Sequence, residues 1–382
     1  MSKIAVDQNK KSDNFVSDPG RVKDLAQQIA NKKLDPVTLV ESYLNRINYA
    51  DKYINAWCAL DQEGAIKVAK QRALEARNGH IRGELHGVPV AVKDVIHVSG
   101  FQTKAYSPTR EDILPQALDA QVVSALRESG AIILGKVHTT EFAFYESIPP
   151  TRNPYDLRRT PGGSSAGSAA AVASGMIPIA IGTQTAGSIT RPATYCGIGG
   201  YKPSKQAISA SGILPFAPSF DTIGMFGFNL VDAIYSFLAI CPQYLRNAAQ
   251  NSLPNYPRLI LLEDDCLKSA NPEIIENIQK AADFWSRVGW NVRTVKSPVS
   301  LQRVREHHTI IAEYELARSY DYLTKVKQHM VSDCILEAIK RGLSTTTDEY
   351  IDSRSIIKNL AEVFWSVFAY DEILIFPSTP AI

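Results

Sequence analysis

The sequence has little cysteine, little charge imbalance and no long apolar run, and each shortage removes a class of protein. Its five cysteines (Cys58, Cys196, Cys241, Cys266 and Cys334) are odd in number, scattered, and contain no C-x-x-C pair. That excludes a disulfide framework and a zinc site built on paired thiolates, and it fits a reducing cytoplasm. Forty-one basic residues against thirty-nine acidic ones leave a formal charge of +2, too near balance for a nucleic-acid surface. No run approaches the length of a membrane span, and the polar opening MSKIAVDQNKKSDN lacks the apolar core of a signal peptide. Repeats, low-complexity segments and dividing linkers are missing too. The expectation is a soluble cytoplasmic protein without nucleic-acid or membrane partners: a loose tail over residues 1–18, then one domain over residues 19–382.

What is there reads as an enzyme-sized α/β chain. Hydrophobic residues make up 45% and charged residues 21% of 382 positions, enough to bury a large core. Asp35 before Pro36 is a helix start, and Val37, Val40, Leu44 and Ile47 repeat at helical spacing. A second helix is predicted over 62–77 and a third over 119–128. Strands are predicted at Val88–Val92, Ala131–Leu134, Ile177–Ile181, Arg258–Leu262, Trp290–Val295 and Ile373–Phe376, with a capped helix from Asn271-Pro272. Such alternation predicts a mixed, largely buried central β-sheet covered by helices on both faces.

The chain is organised around residues 159–204, poor in charge and dense in Gly, Ser and Ala. Two small-residue clusters, Gly162-Gly163-Ser164-Ser165 and Ala186-Gly187-Ser188, flank an Ala-rich helix (Ala169–Ala173) and the strand Ile177–Ile181. Glycine allows close backbone approach there, and two serines end up on the rims of adjacent elements. A serine hydroxyl is a poor nucleophile until a neighbour takes its proton. Lys93, at the end of Val88–Val92 and beside Asp94, is a candidate base, since burial lowers an ammonium pKa from about 10.4. Two rival readings fail. Gly162 and Gly167 have phosphate-loop spacing, but Ser168 and Ala169 stand where that motif needs Lys and Ser or Thr. His307-His308 lacks a partner cluster for a metal, and reads as a solvated helix face among Arg303, Arg305 and Glu306.

The segments GVPVAVKD (Gly87–Asp94), PGGSSAGS (Pro161–Ser168) and GTQTAGS (Gly182–Ser188) together resemble the amidase signature hydrolases, whose machinery is Ser, cis-Ser and Lys. Ser164 and Ser188 stand at the family's offset, and the similarity runs on through Gly135-Lys136, Glu141-Phe142, Asn153-Pro154, Asp221-Thr222-Ile223-Gly224 and Phe376-Pro377. The resemblance implies the amidase signature fold, Ser188 as the nucleophile that forms an acyl-enzyme, and Ser164, after a cis bond, as the bridge to Lys93. It implies an oxyanion hole from the amides of Thr185, Ala186, Gly187 and Ser188, a small carboxamide substrate, and no metal or organic cofactor.

Departures from the family pattern narrow the expectation. Gln184 replaces Asp, Ala186 replaces Gly, and Arg191 follows Thr190, one place later than usual. This form looks closer to malonamidase-like members, with Arg191 either anchoring an acidic substrate end or bracing the loop through a structural carboxylate. The chain stops at Ile382, where family members usually continue. A shortened C-terminal part predicts an exposed sheet edge, an open pocket and a homodimer. The alternative expectation is an amidase-like subunit, inactive alone or supplying ammonia within a transamidating complex.

Overall fold

The computed structural model describes residues 14–249 and 258–381. Its centre is a six-stranded sheet of β1 (Trp57–Leu60), β2 (Pro89–Lys93), β3 (Ile132–Val137), β4 (Ile179–Gln184), β5 (Gly199–Tyr201) and β6 (Thr222–Gly227), in the order β1-β3-β2-β4-β6-β5. Strand β2 runs parallel to both β3 and β4, while β1, β5 and β6 pair antiparallel. Every residue of β2, β3, β4 and β6 is buried. Apolar runs without polar alternation require that, because both faces of such a sheet must be covered.

The period of two along each strand divides the core. Val90, Val92, Ile179 and Ile181 face one layer, packed by the helices Gln121–Glu128, Leu230–Leu238, Leu301–Tyr320 and Asp333–Ser344. Ala91 and Ala180 face the other, packed by Pro36–Ile54, Gln62–Arg77 and the wholly buried Ala166–Ala173. Small side chains on both sides bring that last helix close to the sheet. A Cβ on Gly167 would lie 2.5 Å from the Ala56 carbonyl, and one on Gly182 would lie 2.6 Å from Ser165 Oγ.

The predicted start at Asp35 is present, its carboxylate accepting from the Val37 amide. Of the expected loose tail, residues 1–13 lie outside the described residues. The remainder is held: the amides of Phe15 and Ser17 donate to the carbonyls of Pro154 and Ala173, and Phe15 stacks on Tyr53.

The last three predicted strands do not extend the central sheet. β7 (Arg258–Glu263), β8 (Val292–Lys296) and β9 (Glu372–Ile375) form a separate parallel sheet in the order β8-β7-β9. Neither β8 nor β9 has a buried residue; the two valines of V-R-T-V-K stand three positions apart and so lie on opposite faces of β8, each only partly covered. Between β8 and β9 the chain spends most of its length in helices, notably Leu301–Tyr320, Asp333–Ser344 and Thr347–Ser366.

Candidate active site

Neighbouring parallel strands deliver the first two groups. Register pairs Val92 with Ile181, so the ends of β2 and β4 place Lys93 beside Thr183. Lys93 Nζ lies 2.8 Å from Thr183 Oγ1, 3.4 Å from the Thr183 carbonyl and 2.8 Å from Ser164 Oγ. Its side chain is fully buried. Burial drives its pKa from 10.5 down to about 7, against a smaller upward pull from Asp221. Among the described residues no carboxylate forms an ion pair with it. Asp94, adjacent in sequence, serves the other buried lysine of this region: Lys136 Nζ donates to its carboxylate at 2.7 Å.

Ser164 follows a cis peptide bond from Gly163. Carbonyls on both sides of that bond are held, Gly163 O by Arg191 Nε at 3.0 Å and Ser164 O by the Thr140 amide at 3.2 Å. Ser165 ties the loop to β4, its hydroxyl donating to the Thr183 carbonyl at 3.1 Å. Its amide donates to the Ser188 carbonyl at 3.3 Å, so the main chains carrying Ser164 and Ser188 meet. The contact between Lys93 and Ser164 is thus formed. Ser188, 6% exposed, has no hydrogen bond from its hydroxyl to Ser164 or any other protein atom among the described residues.

The turn from Thr185 to Ser188 leaves β4 with its carbonyls taken and its amides free. Thr185 O accepts from His308 Nε2 at 3.2 Å, Ala186 O from Gln184 Nε2 at 2.9 Å, and Gly187 O from the Arg191 amide at 2.9 Å. The amides of Thr185, Ala186, Gly187 and Ser188 have no protein acceptor among the described residues. Beyond them, the amides of Ile189 and Thr190 donate to Gln184 Oε1 at 2.8 and 3.0 Å. Glutamine at 184 therefore does what an aspartate cannot, accepting from one side of the turn and donating to the other. Asp221 accepts from the Thr185 hydroxyl and from the amides of Phe216 and Ala217.

Of the two roles expected of Arg191, the structure bears on the bracing one. The side chain braces the loop, but through the Gly163 carbonyl and not a carboxylate, and among the described residues no acidic group pairs with its guanidinium. Burial lowers its pKa.

Thr183, the contacts of Gln184 and His308 lie beyond the sequence expectations, and the histidine pair is not a solvated helix face. Arg303, Arg305 and Glu306 are exposed. His307, however, pairs with the buried Ser353 at 3.1 Å. His308 stacks on Phe220, with ring centroids 4.3 Å apart, and reaches Thr185. The available signal was spacing: His308, Ile311, Ala312 and Glu315 share one helix face, and the last three are a buried pair and an acceptor for the Ser219 amide.

No helix among the described residues is long and apolar enough to cross a membrane, and no group of three or more His, Cys, Asp or Glu among them is placed to hold a metal.

Comparison with known proteins agrees with this architecture. The Amidase family pattern matches residues 38–381. Two similar relatives are glutamyl-tRNA(Gln) amidotransferase subunits A. The one from Sulfurihydrogenibium sp. (strain YO3AOP1) is 33% identical over 76% of this chain and 63% of its own. The one from Carboxydothermus hydrogenoformans is 40% identical over 74% of this chain and 61% of its own. The chain thus spans about three-fifths of the length of these curated relatives. A solved amidase superposes with a TM-score of 0.84 at 30% identity, covering 94% of this chain and 82% of the other. With the family pattern matched from the second helix almost to the last residue, the chain belongs to the amidase signature family.

Proposed function

We propose that the chain is a serine amidohydrolase that cleaves a small carboxamide to a carboxylate and ammonia. The observation that carries this reading is the state of Lys93, a buried amine whose partners are two hydroxyls and a carbonyl. A neutral amine has two hydrogens and one lone pair. Given to Thr183 O and Thr183 Oγ1, the hydrogens leave the lone pair for the Ser164 proton. Ser164 can then take the proton of Ser188 as Ser188 Oγ bonds to the amide carbonyl carbon. The short hydroxyl contact this requires belongs to the substrate complex, where catalytic hydrogen bonds tighten.

Negative charge developing on the substrate oxygen is met by the unpartnered amides of the 185–188 turn. One such donor is worth about 3 to 4 kcal/mol. The lysine returns its proton through Ser164 to the leaving nitrogen as the C–N bond breaks, and ammonia departs. Water, deprotonated by the same relay, attacks the Ser188 ester and frees the acid.

Arg191 gives the substrate class. With Nε engaged at Gly163, its terminal nitrogens remain for a carboxylate on the substrate, which points to mono-amides of short dicarboxylic acids and supports the malonamidase-like placement. The test is ammonia release from such mono-amides and from neutral amides of equal length, in wild type and Arg191→Ala. We expect KM for the acidic amides to rise about tenfold or more with kcat little changed. Equal losses on neutral amides would reject the anchoring role. The names of the relatives favour a second reading, ammonia supply to a partner subunit; glutamine hydrolysis seen only when a partner protein is added would select it.

A further inference from the structure

Among the described residues the amides of the 185–188 turn have no protein acceptor, because its carbonyls are held. In a trans peptide the C=O of one residue and the N–H of the next point in opposite directions. Fixing the Thr185, Ala186 and Gly187 carbonyls therefore fixes the amides of Ala186, Gly187 and Ser188 on the other side. Two of the three donors are local: Gln184, one residue before the turn, and the Arg191 amide, three residues after it. The third is not. His308 comes from the helix Leu301–Tyr320, 123 residues along the chain.

That contact is built, not incidental. Stacking on Phe220 orients the imidazole. Seven residues on, Glu315 accepts from the Ser219 amide at 2.8 Å, so one helix face grips the 219–220 segment and the turn together. Asp221 completes the hold by accepting from the Thr185 hydroxyl. A carbonyl can only accept, so the proton sits on His308 Nε2.

We propose that His308 is a positioning residue of the oxyanion turn: by holding the Thr185 carbonyl it keeps the Ala186 amide aimed at the substrate oxygen. This rests on the hydrolase reading above and adds a requirement that the sequence motifs do not contain. Without a donor at position 308, the Thr185 carbonyl is left unpaired in a half-buried site, and its peptide plane turns to find a partner, carrying the Ala186 amide away.

The experiment compares wild type, His308→Phe and His308→Gln by the rate at which an alkyl fluorophosphonate labels Ser188, alongside melting temperature. In that reaction Ser188 Oγ gives its proton through Ser164 to Lys93 and bonds to phosphorus, the P–F bond breaks, fluoride leaves, and the phosphoryl oxygen occupies the position of the substrate oxyanion. Phenylalanine keeps the ring on Phe220 and removes the donor; glutamine keeps a donor. His308→Met, also without a donor, serves the same comparison if phenylalanine is not accommodated. We expect labelling about tenfold to a hundredfold slower in His308→Phe and within about threefold of wild type in His308→Gln, at similar melting temperatures. Equal rates in wild type and His308→Phe would overturn the proposal, as would an equal slowing in both variants, which would assign the effect to the ring. Wild type that takes no label would overturn the hydrolase reading and this inference with it.

Discussion

Two buried lysines one strand apart have opposite fates. Lys136 faces Asp94 at 2.7 Å and so remains an ion pair, costly to break because the survivor would be an unpaired buried charge. Lys93 has hydroxyls in place of a carboxylate, and its pKa falls to about 7. The difference is measurable as stability. Below about 7 the folded protein carries the buried ammonium, and the desolvation cost is fully present. Between about 7 and the unperturbed 10.5 the unfolded chain binds a proton that the folded one does not, so stability rises with pH across that window. Lys93→Met lacks this term. Urea midpoints of wild type should therefore gain on those of Lys93→Met as pH rises through the window, and parallel profiles would contradict a depressed lysine. Lys93 as candidate base was legible in sequence, since an apolar strand ending in lysine is unusual. Its pairing was not: Asp94 is its neighbour in the chain and the partner of Lys136 in space.

At the scale of elements, the region 159–204 is held together by closeness of backbones. Gly182 is its tightest point on β4, where a Cβ would lie 2.6 Å from Ser165 Oγ and 2.7 Å from the Phe226 ring. Gly182→Ala should cost about 1 to 3 kcal/mol, read as a lower denaturant midpoint, and an unchanged midpoint would show that the packing has slack. Elements with one strong periodicity were legible. The helix Gln62–Arg77, strand β2 and the first halves of β3 and β4 follow from apolar faces or short apolar runs, while β3 continues through Gly135-Lys136-Val137 and β4 through Gly182-Thr183-Gln184, past the glycines where the predicted strands end. β6 was not, because T-I-G-M-F-G interrupts its run with glycines that exist for another backbone; a Cβ on Gly224 would lie 2.3 Å from the Tyr201 carbonyl. β5 has only three residues. The helix carrying His308 shows why contact with the site was invisible, since nothing local to position 308 names a turn 123 residues earlier.

For the whole molecule, that same helix links the two sheets. At its start the Leu301 amide donates to Asp264, just after β7, and near its end Tyr320 donates to the Pro215 carbonyl at 2.7 Å. Strand propensity predicted β7, β8 and β9 but not which sheet they join, because sheet membership is decided by pairing and not by composition. In the proposed mechanism a neutral amine at Lys93 activates Ser188 through Ser164. The most direct measurement is the mass of intact protein and its peptides after exposure to a fluorophosphonate across a range of pH. We predict one adduct per chain, on Ser188, formed at a rate that rises with pH and levels off above about 7, and lost in Lys93→Met and Ser164→Ala. No adduct, an adduct on another residue, or a rate indifferent to Lys93 would contradict it.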